Sequence, residues 1–102
     1  GLVMGRATRR VVLDGVEVKM TAREFDLLSF LLSNPGRAHS RSYLLQQVWK
    51  YNYVGDAKTV DVHVRWLRSK FDGRVTFEIV TVRGVGYRLD RPDLPDPLPV
   101  PV

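Results

Sequence analysis

The sequence predicts an α+β fold, with an antiparallel sheet at the N-terminus, three helices, and a β-hairpin at the end. Three observations predict it. Before residue 21, apolar and polar residues alternate around Asp14-Gly15, a strong two-residue turn signal. From residue 21 to residue 71, apolar residues recur at helical spacing in three runs, broken by Asn34-Pro35-Gly36 and by an aromatic stretch, Tyr51 to Asp56. After residue 75, strand-like patterning returns on both sides of Arg83-Gly84-Val85-Gly86.

Leu2 to Met4 is short and apolar, and Arg9 to Leu13 leads into Asp14-Gly15. A type I′ hairpin needs positive φ at both turn residues, which this pair tolerates. Val16 to Met20 alternates with period two, so two or three strands are expected, serving packing or spacing. Thr21-Ala22-Arg23-Glu24 is a capping box, with Thr21 as N-cap and Glu24 at N3. The helix behind it should run to about Ser33, with Phe25, Leu28 and Leu32 as its core face, widened by Leu27 and Leu31. Asn34-Pro35-Gly36 ends it. Arg37-Ala38-His39 is a short link with room for one extended rung. Ser40 is the N-cap of a second helix from about Arg41 to Lys50, burying Leu44, Leu45, Val48 and Trp49. Tyr51 to Asp56 lacks a helical period and reads as an exposed loop.

A third helix is expected over Lys58–Phe71. Val60, Val64, Leu67 and Phe71 fall at i, i+4, i+7 and i+11 and make one narrow apolar stripe. Asp72-Gly73 stops it. Thr76 to Val82 reads as a strand and Tyr87 to Leu89 as its return, with a basic residue at the tip between them. From Pro92 onward five prolines fall in eleven residues, so 92–102 is expected to be an extended or disordered tail behind a domain of residues 1–91. The second helix, the loop and the third helix form a helix-turn-helix with a long turn, and the terminal hairpin is its wing.

Composition narrows the function. A chain of 102 residues supports one domain with a modest core. Its net charge of +5 and pI near 10.0 favour a polyanionic partner, though only weakly. Cysteine is absent, which excludes disulfides and thiolate metal sites and suits an intracellular setting. No apolar run approaches the roughly 20 residues of a membrane helix, and no signal-peptide pattern is present. The chain starts with Gly1 rather than Met, so a piece of a longer protein is expected.

The third helix carries the functional signal. Opposite its apolar stripe lie Lys58, Val62, Arg65, Trp66 and Ser69, flanked by Asp61 and Arg68. A merely solvated face should not set Val and Trp among basic residues. A DNA major groove asks for cations for phosphate, polar groups for base edges and apolar groups for thymine methyls.

Several motifs together resemble the OmpR/PhoB-type effector domain of bacterial two-component response regulators. They are Thr21 to Leu28, Asn34 to Arg37, Ser40 to Leu45, Val48-Trp49, Thr59 to Arg65, Leu67-Arg68 and Thr81 to Arg88, spread over about Val11 to Leu89. The resemblance implies a four-stranded N-terminal sheet, a third helix in the major groove and a wing in the minor groove. It implies phosphate or base contacts for Thr59, His63, Arg65 and Arg68, a methyl contact for Val62, and a minor-groove role for Arg83. With Lys58 and Trp66, these make the expected DNA-binding set. Trp66 stands where many members carry arginine, and Ala57-Lys58 departs from the acidic-then-basic pair common there. The loop 50–57 matches a segment that in some members meets RNA polymerase. The resemblance further implies direct-repeat DNA, a head-to-tail dimer, a cytoplasmic setting and no cofactor. The family's receiver domain, with its phospho-acceptor aspartate, is not within these residues.

Other readings remain at this level. Arg65 and Arg68 compete with ordinary solvated charges. His63 is as compatible with a buried, hydrogen-bonded histidine as with a phosphate contact. Trp66 folded sideways competes with Trp66 on DNA. Asp61 is expected to orient a neighbouring cation. An enzyme is disfavoured, since His39 and His63 are the only side-chain bases of histidine type and neither sits in a nucleophile or metal motif. A winged helix for protein or RNA interaction is the alternative, which the basic third helix argues against.

Overall fold

The computed structural model describes residues 1–50 and 56–91. The expected proline-rich tail, 92–102, lies outside them, as does most of the loop 50–57. The N-terminal sheet has three antiparallel strands in the order β1-β2-β3: β1 (Leu2–Gly5), β2 (Arg10–Leu13) and β3 (Val16–Val18). Among the described residues this sheet has three strands, where the resemblance implies four. Leu13 pairs with Val16 across the two-residue turn. Asp14 and Gly15 hold φ of 51° and 83°, the left-handed pair that a type I′ turn requires.

Helix α1 (Ala22–Ser33) starts at a complete capping box: Glu24 N–H donates to Thr21 Oγ1, and Thr21 N–H donates to Glu24 Oε1. Its core face is Phe25, Leu27, Leu28 and Leu31, while Leu32 is only half-buried. The rung expected after the turn exists. Strand β4 (Ala38–Ser40) joins β5 (Glu78–Val82) and β6 (Gly86–Asp90) in a second antiparallel sheet of order β4-β6-β5. Strand β5 begins two residues later than expected because its ladder with β6 runs out at the Glu78–Asp90 pair.

The second helix differs from a uniform α-helix over 41–50. Helix α2 (Arg41–Leu44), capped by Ser40 Oγ on Tyr43 N–H, continues as a π-helical turn, Leu45–Trp49. The wider turn accompanies the burial of two consecutive residues, Val48 and Trp49, and leaves Leu45 half-buried. Arg23 of α1 donates to the Val48 carbonyl at 3.0 Å.

Helix α3 spans Lys58–Phe71 as expected, and Val60, Val64, Leu67 and Phe71 are all buried. They join Leu27, Leu28 and Leu31 of α1, Leu13 of β2 and Leu89 of β6 in one core. A second tie spans α1 and α3. Glu24, 2% exposed, receives both Lys70 Nζ–H bonds, at 2.8 and 2.6 Å. The stripe and this ion pair hold α3 with its opposite face outward.

Candidate nucleic-acid interface

The first turn of α3 is capped locally. Asp56 accepts from Lys58 N–H through its carboxylate at 2.9 Å and from Thr59 N–H through its carbonyl at 3.1 Å. This turn presents the Lys58 side chain outward, while Thr59 is half-buried. One and two turns further on, Val62 and Arg65 follow on the same outer face. Among the described residues, the side chains of Lys58 and Arg65 make no hydrogen bond or ion pair. Free cations flanking a half-buried valine form a surface with charge available for phosphate or base edges and a small apolar patch between.

Both edges of that face are tied to neighbouring elements. On one edge Arg68 donates from Nε and Nη2 to the Ile79 carbonyl, at 3.0 and 2.8 Å, and from Nη2 to Thr81 Oγ1 at 2.8 Å. Its guanidinium also lies 5.6 Å from the centre of the Tyr87 ring. Arg68 thus clamps α3 to the hairpin, and two of its three guanidinium nitrogens are engaged inside the domain. Asp61, two turns earlier, accepts from Tyr87 Oη at 2.6 Å and from Arg41 Nη1 at 2.9 Å. Asp61 does orient a cation, and the cation is Arg41 of α2. Burial, followed by the hydrogen bond to Asp61, pushes the Tyr87 phenol up to about 12, so it remains a donor at neutral pH.

On the other edge His63 Nδ1–H donates to the Thr59 carbonyl at 2.7 Å. A carbonyl only accepts, which fixes the proton on Nδ1. The imidazole lies edge-on to Trp49, with ring centres 4.9 Å apart, and tilted against Trp66, again at 4.9 Å. His63 is half-buried and hydrogen-bonded within its own helix. Trp66 folds against His63 yet stays 44% exposed.

The wing is short. Val85 N–H donates to the Val82 carbonyl at 3.0 Å, and Gly84 sits at φ +78° in the turn. Arg83 and Val85 are exposed at its tip, and the Arg83 side chain makes no hydrogen bond or ion pair among the described residues. Gly86 opens β6 directly against β4. A Cβ there would run into the His39 carbonyl oxygen, so the close approach of the two strands needs glycine.

The expected set therefore divides into four. Lys58, Val62 and Arg65 face outward together, and Arg83 stands apart at the wing tip. Trp66 is at the edge, half outward. His63 and Arg68 are engaged within the domain through their side chains, and Thr59 is half-buried and bonded through its backbone. Sequence reasoning passed over Arg41, Thr81 and Tyr87; the one signal for Arg41 was the need of Asp61 for a cation, which spacing alone could not assign. Among the described residues no three His, Asp or Glu side chains converge as a metal site. No described helix is long and apolar enough to cross a membrane.

Residues 15–89 match the family described as transcriptional regulatory protein, C terminal. The chain is 48% identical over 88 residues to the transcriptional regulatory protein VxrB of Vibrio cholerae, covering 86% of this chain and 35% of VxrB. It thus spans about a third of the length of the curated relatives it matches. Its fold is similar to the DNA-binding domain of Bacillus subtilis CssR, with a TM-score of 0.78 and 31% identity over 87% of this chain and 99% of that one. It is also similar to the Klebsiella pneumoniae RstA DNA-binding domain in complex with RstA box, with a TM-score of 0.74 and 32% identity, covering 88% and 91% of the two chains.

Proposed function

This chain belongs to the family of C-terminal domains of transcriptional regulatory proteins, and from that premise we propose how it engages its target. It is a winged-helix DNA-binding domain of the response-regulator type and not an enzyme. In the proposed complex α3 enters the major groove with Lys58, Val62 and Arg65 foremost. Lys58 meets phosphate, Arg65 a phosphate or a guanine edge, and Val62 an apolar base edge. Arg41, held by Asp61, extends the cationic surface at the phosphate backbone. Arg83 at the wing tip enters the narrow, electronegative minor groove of A·T-rich DNA. His63 and Arg68 act mainly by fixing the helix between its neighbours, and Thr59 by holding the His63 ring through its carbonyl.

The observation that carries this reading is the contrast along α3. Arg68 is spent on the hairpin and Asp61 on Arg41 and Tyr87, while Lys58 and Arg65 are left without partners on the outer face among the described residues. The whole protein is proposed to bind direct repeats as a head-to-tail dimer, with phosphorylation of a receiver domain favouring assembly. A cytoplasmic location and a polymerase contact through the loop 50–57 belong to the same proposal. A protein- or RNA-interaction module is not favoured beside relatives solved on DNA.

The test begins with in-vitro selection of duplexes bound by the domain, at stated salt. Arg65→Ala is expected to weaken the selected site by about 1–3 kcal/mol and to relax preference at one position if it reads a base. Arg83→Ala should weaken sites with A·T-rich flanks more than sites with G·C-rich ones. If both variants bind the selected site as the parent does, the proposed docking is wrong.

A further inference from the structure

Trp66 is one of five large apolar side chains left on the surface among the described residues, and it sits at the edge of the face that carries Val62 and Arg65. Its ring is not loose. It leans on His63, with ring centres 4.9 Å apart and planes at 56°. His63 is itself pinned by its bond to the Thr59 carbonyl and by its edge-on contact with Trp49, which is 6% exposed. The three rings form a ladder rooted in the core and ending in solvent. An indole held in this way has lost much of its rotamer freedom on folding, so ordering it against a partner costs little further entropy.

The chemistry of the exposed end is narrow. An indole has a single donor and no acceptor. It cannot form the paired hydrogen bonds that identify guanine or adenine in the major groove. The apolar feature available there is the C5-methyl group of thymine. We infer that Trp66 is a specificity-determining residue that packs on a thymine methyl, held at the groove by His63 as a positioning residue. This rests on the proposed placement of α3 in the major groove.

Replacing thymine by deoxyuridine removes only that methyl, so it isolates the contact. Each thymine of the selected duplex is replaced in turn, and binding is measured for the parent, Trp66→Ala, Val62→Ala and His63→Ala. At one thymine the parent is expected to lose about three- to fourfold, the size of burying one methyl group. Trp66→Ala should bind the thymine and uracil duplexes equally at that position, while Val62→Ala retains the difference. His63→Ala keeps the indole but removes its brace, so the uracil penalty there should shrink. Trp66 is half exposed, and folding of each variant is confirmed by circular dichroism. If no thymine shows a penalty that Trp66→Ala abolishes, the inference fails while the DNA-binding reading stands; a phosphate contact through the indole N–H would give that result. A penalty undiminished in His63→Ala overturns the bracing role. A parent that selects no motif at all overturns the placement of α3 and this inference with it.

Discussion

Two arginines three residues apart on α3 have opposite fates. Arg65 projects from the outer face without a partner among the described residues, whereas Arg68 donates three hydrogen bonds to β5. The difference predicts distinct phenotypes. Arg68→Met keeps an apolar stem and removes the bonds. It is expected to lower stability by about 1 kcal/mol in urea denaturation and to weaken all duplexes by a similar factor. Arg65→Ala should leave stability nearly unchanged and act on the selected site above others. If Arg68→Met instead relaxes preference at one base pair with unchanged stability, Arg68 is a reader and the clamp is incidental. Asp61 belongs to the same argument, because its carboxylate joins α2 through Arg41 and β6 through Tyr87.

At the scale of elements, the wing is positioned by how closely β6 approaches β4. Ser40 pairs with Gly86, and the strand contact leaves no room for a side chain at residue 86. Gly86→Ala must therefore push β4 and β6 apart, at a cost on the order of 1–3 kcal/mol. Thermal denaturation should show the loss. Since β4 leads directly into α2 and β6 leads out of the wing, the variant should also weaken DNA binding beyond what unfolding explains. Gly84 differs: a Cβ there meets open space, but its φ of +78° is strained for other residues. Gly84→Ala is a milder lesion confined to the tip.

For the whole molecule, two buried ionisable groups set the response to acid. Burial raises the Glu24 carboxyl, but the hydrogen bonds from Lys70 and Thr21 and the Lys70 charge outweigh it, and the pKa is held below its ordinary value near 4.5. That stabilisation is present above the unfolded pKa and is lost as pH falls through the folded one. His39 is 8% exposed, with Phe30 and Tyr43 against its ring and no hydrogen-bond partner at Nε2 among the described residues. Burial, and then the charge of Arg37, lowers its pKa from the ordinary 6.5. The unfolded chain takes up this proton first, so stability should begin to fall as pH drops below about 6.5. Denaturant midpoints measured from pH 7 to pH 4 should decline in two stages, an upper stage absent in His39→Leu and a lower one reduced in Lys70→Met. A flat profile across this range would contradict both assignments.

Much of this architecture is legible in the chain itself, because local devices report local structure. Asp14-Gly15, the Thr21–Glu24 box, the Ser40 cap and the four-residue stripe of α3 each act within a few residues, and each forms as read. The pattern also singled out α3 by its basic and aromatic outer face, and Asp61 as a carboxylate in need of a cation. Periodicity reports which side of its own helix a residue occupies, and it is silent on what another element brings to that side. Only the tertiary structure could decide that Arg68 reaches a carbonyl on β5, that His63 is wedged between two tryptophans, and that Glu24 is also the buried partner of Lys70. The π-helical turn at Leu45–Trp49 escaped for the same reason, since it accompanies the packing of Val48 and Trp49 rather than any local signal. By itself the sequence determined the order of elements and which face of α3 is turned away from the core. Packing between distant elements decided which side chains on that face are left without partners among the described residues, and so which ones the proposed docking can use.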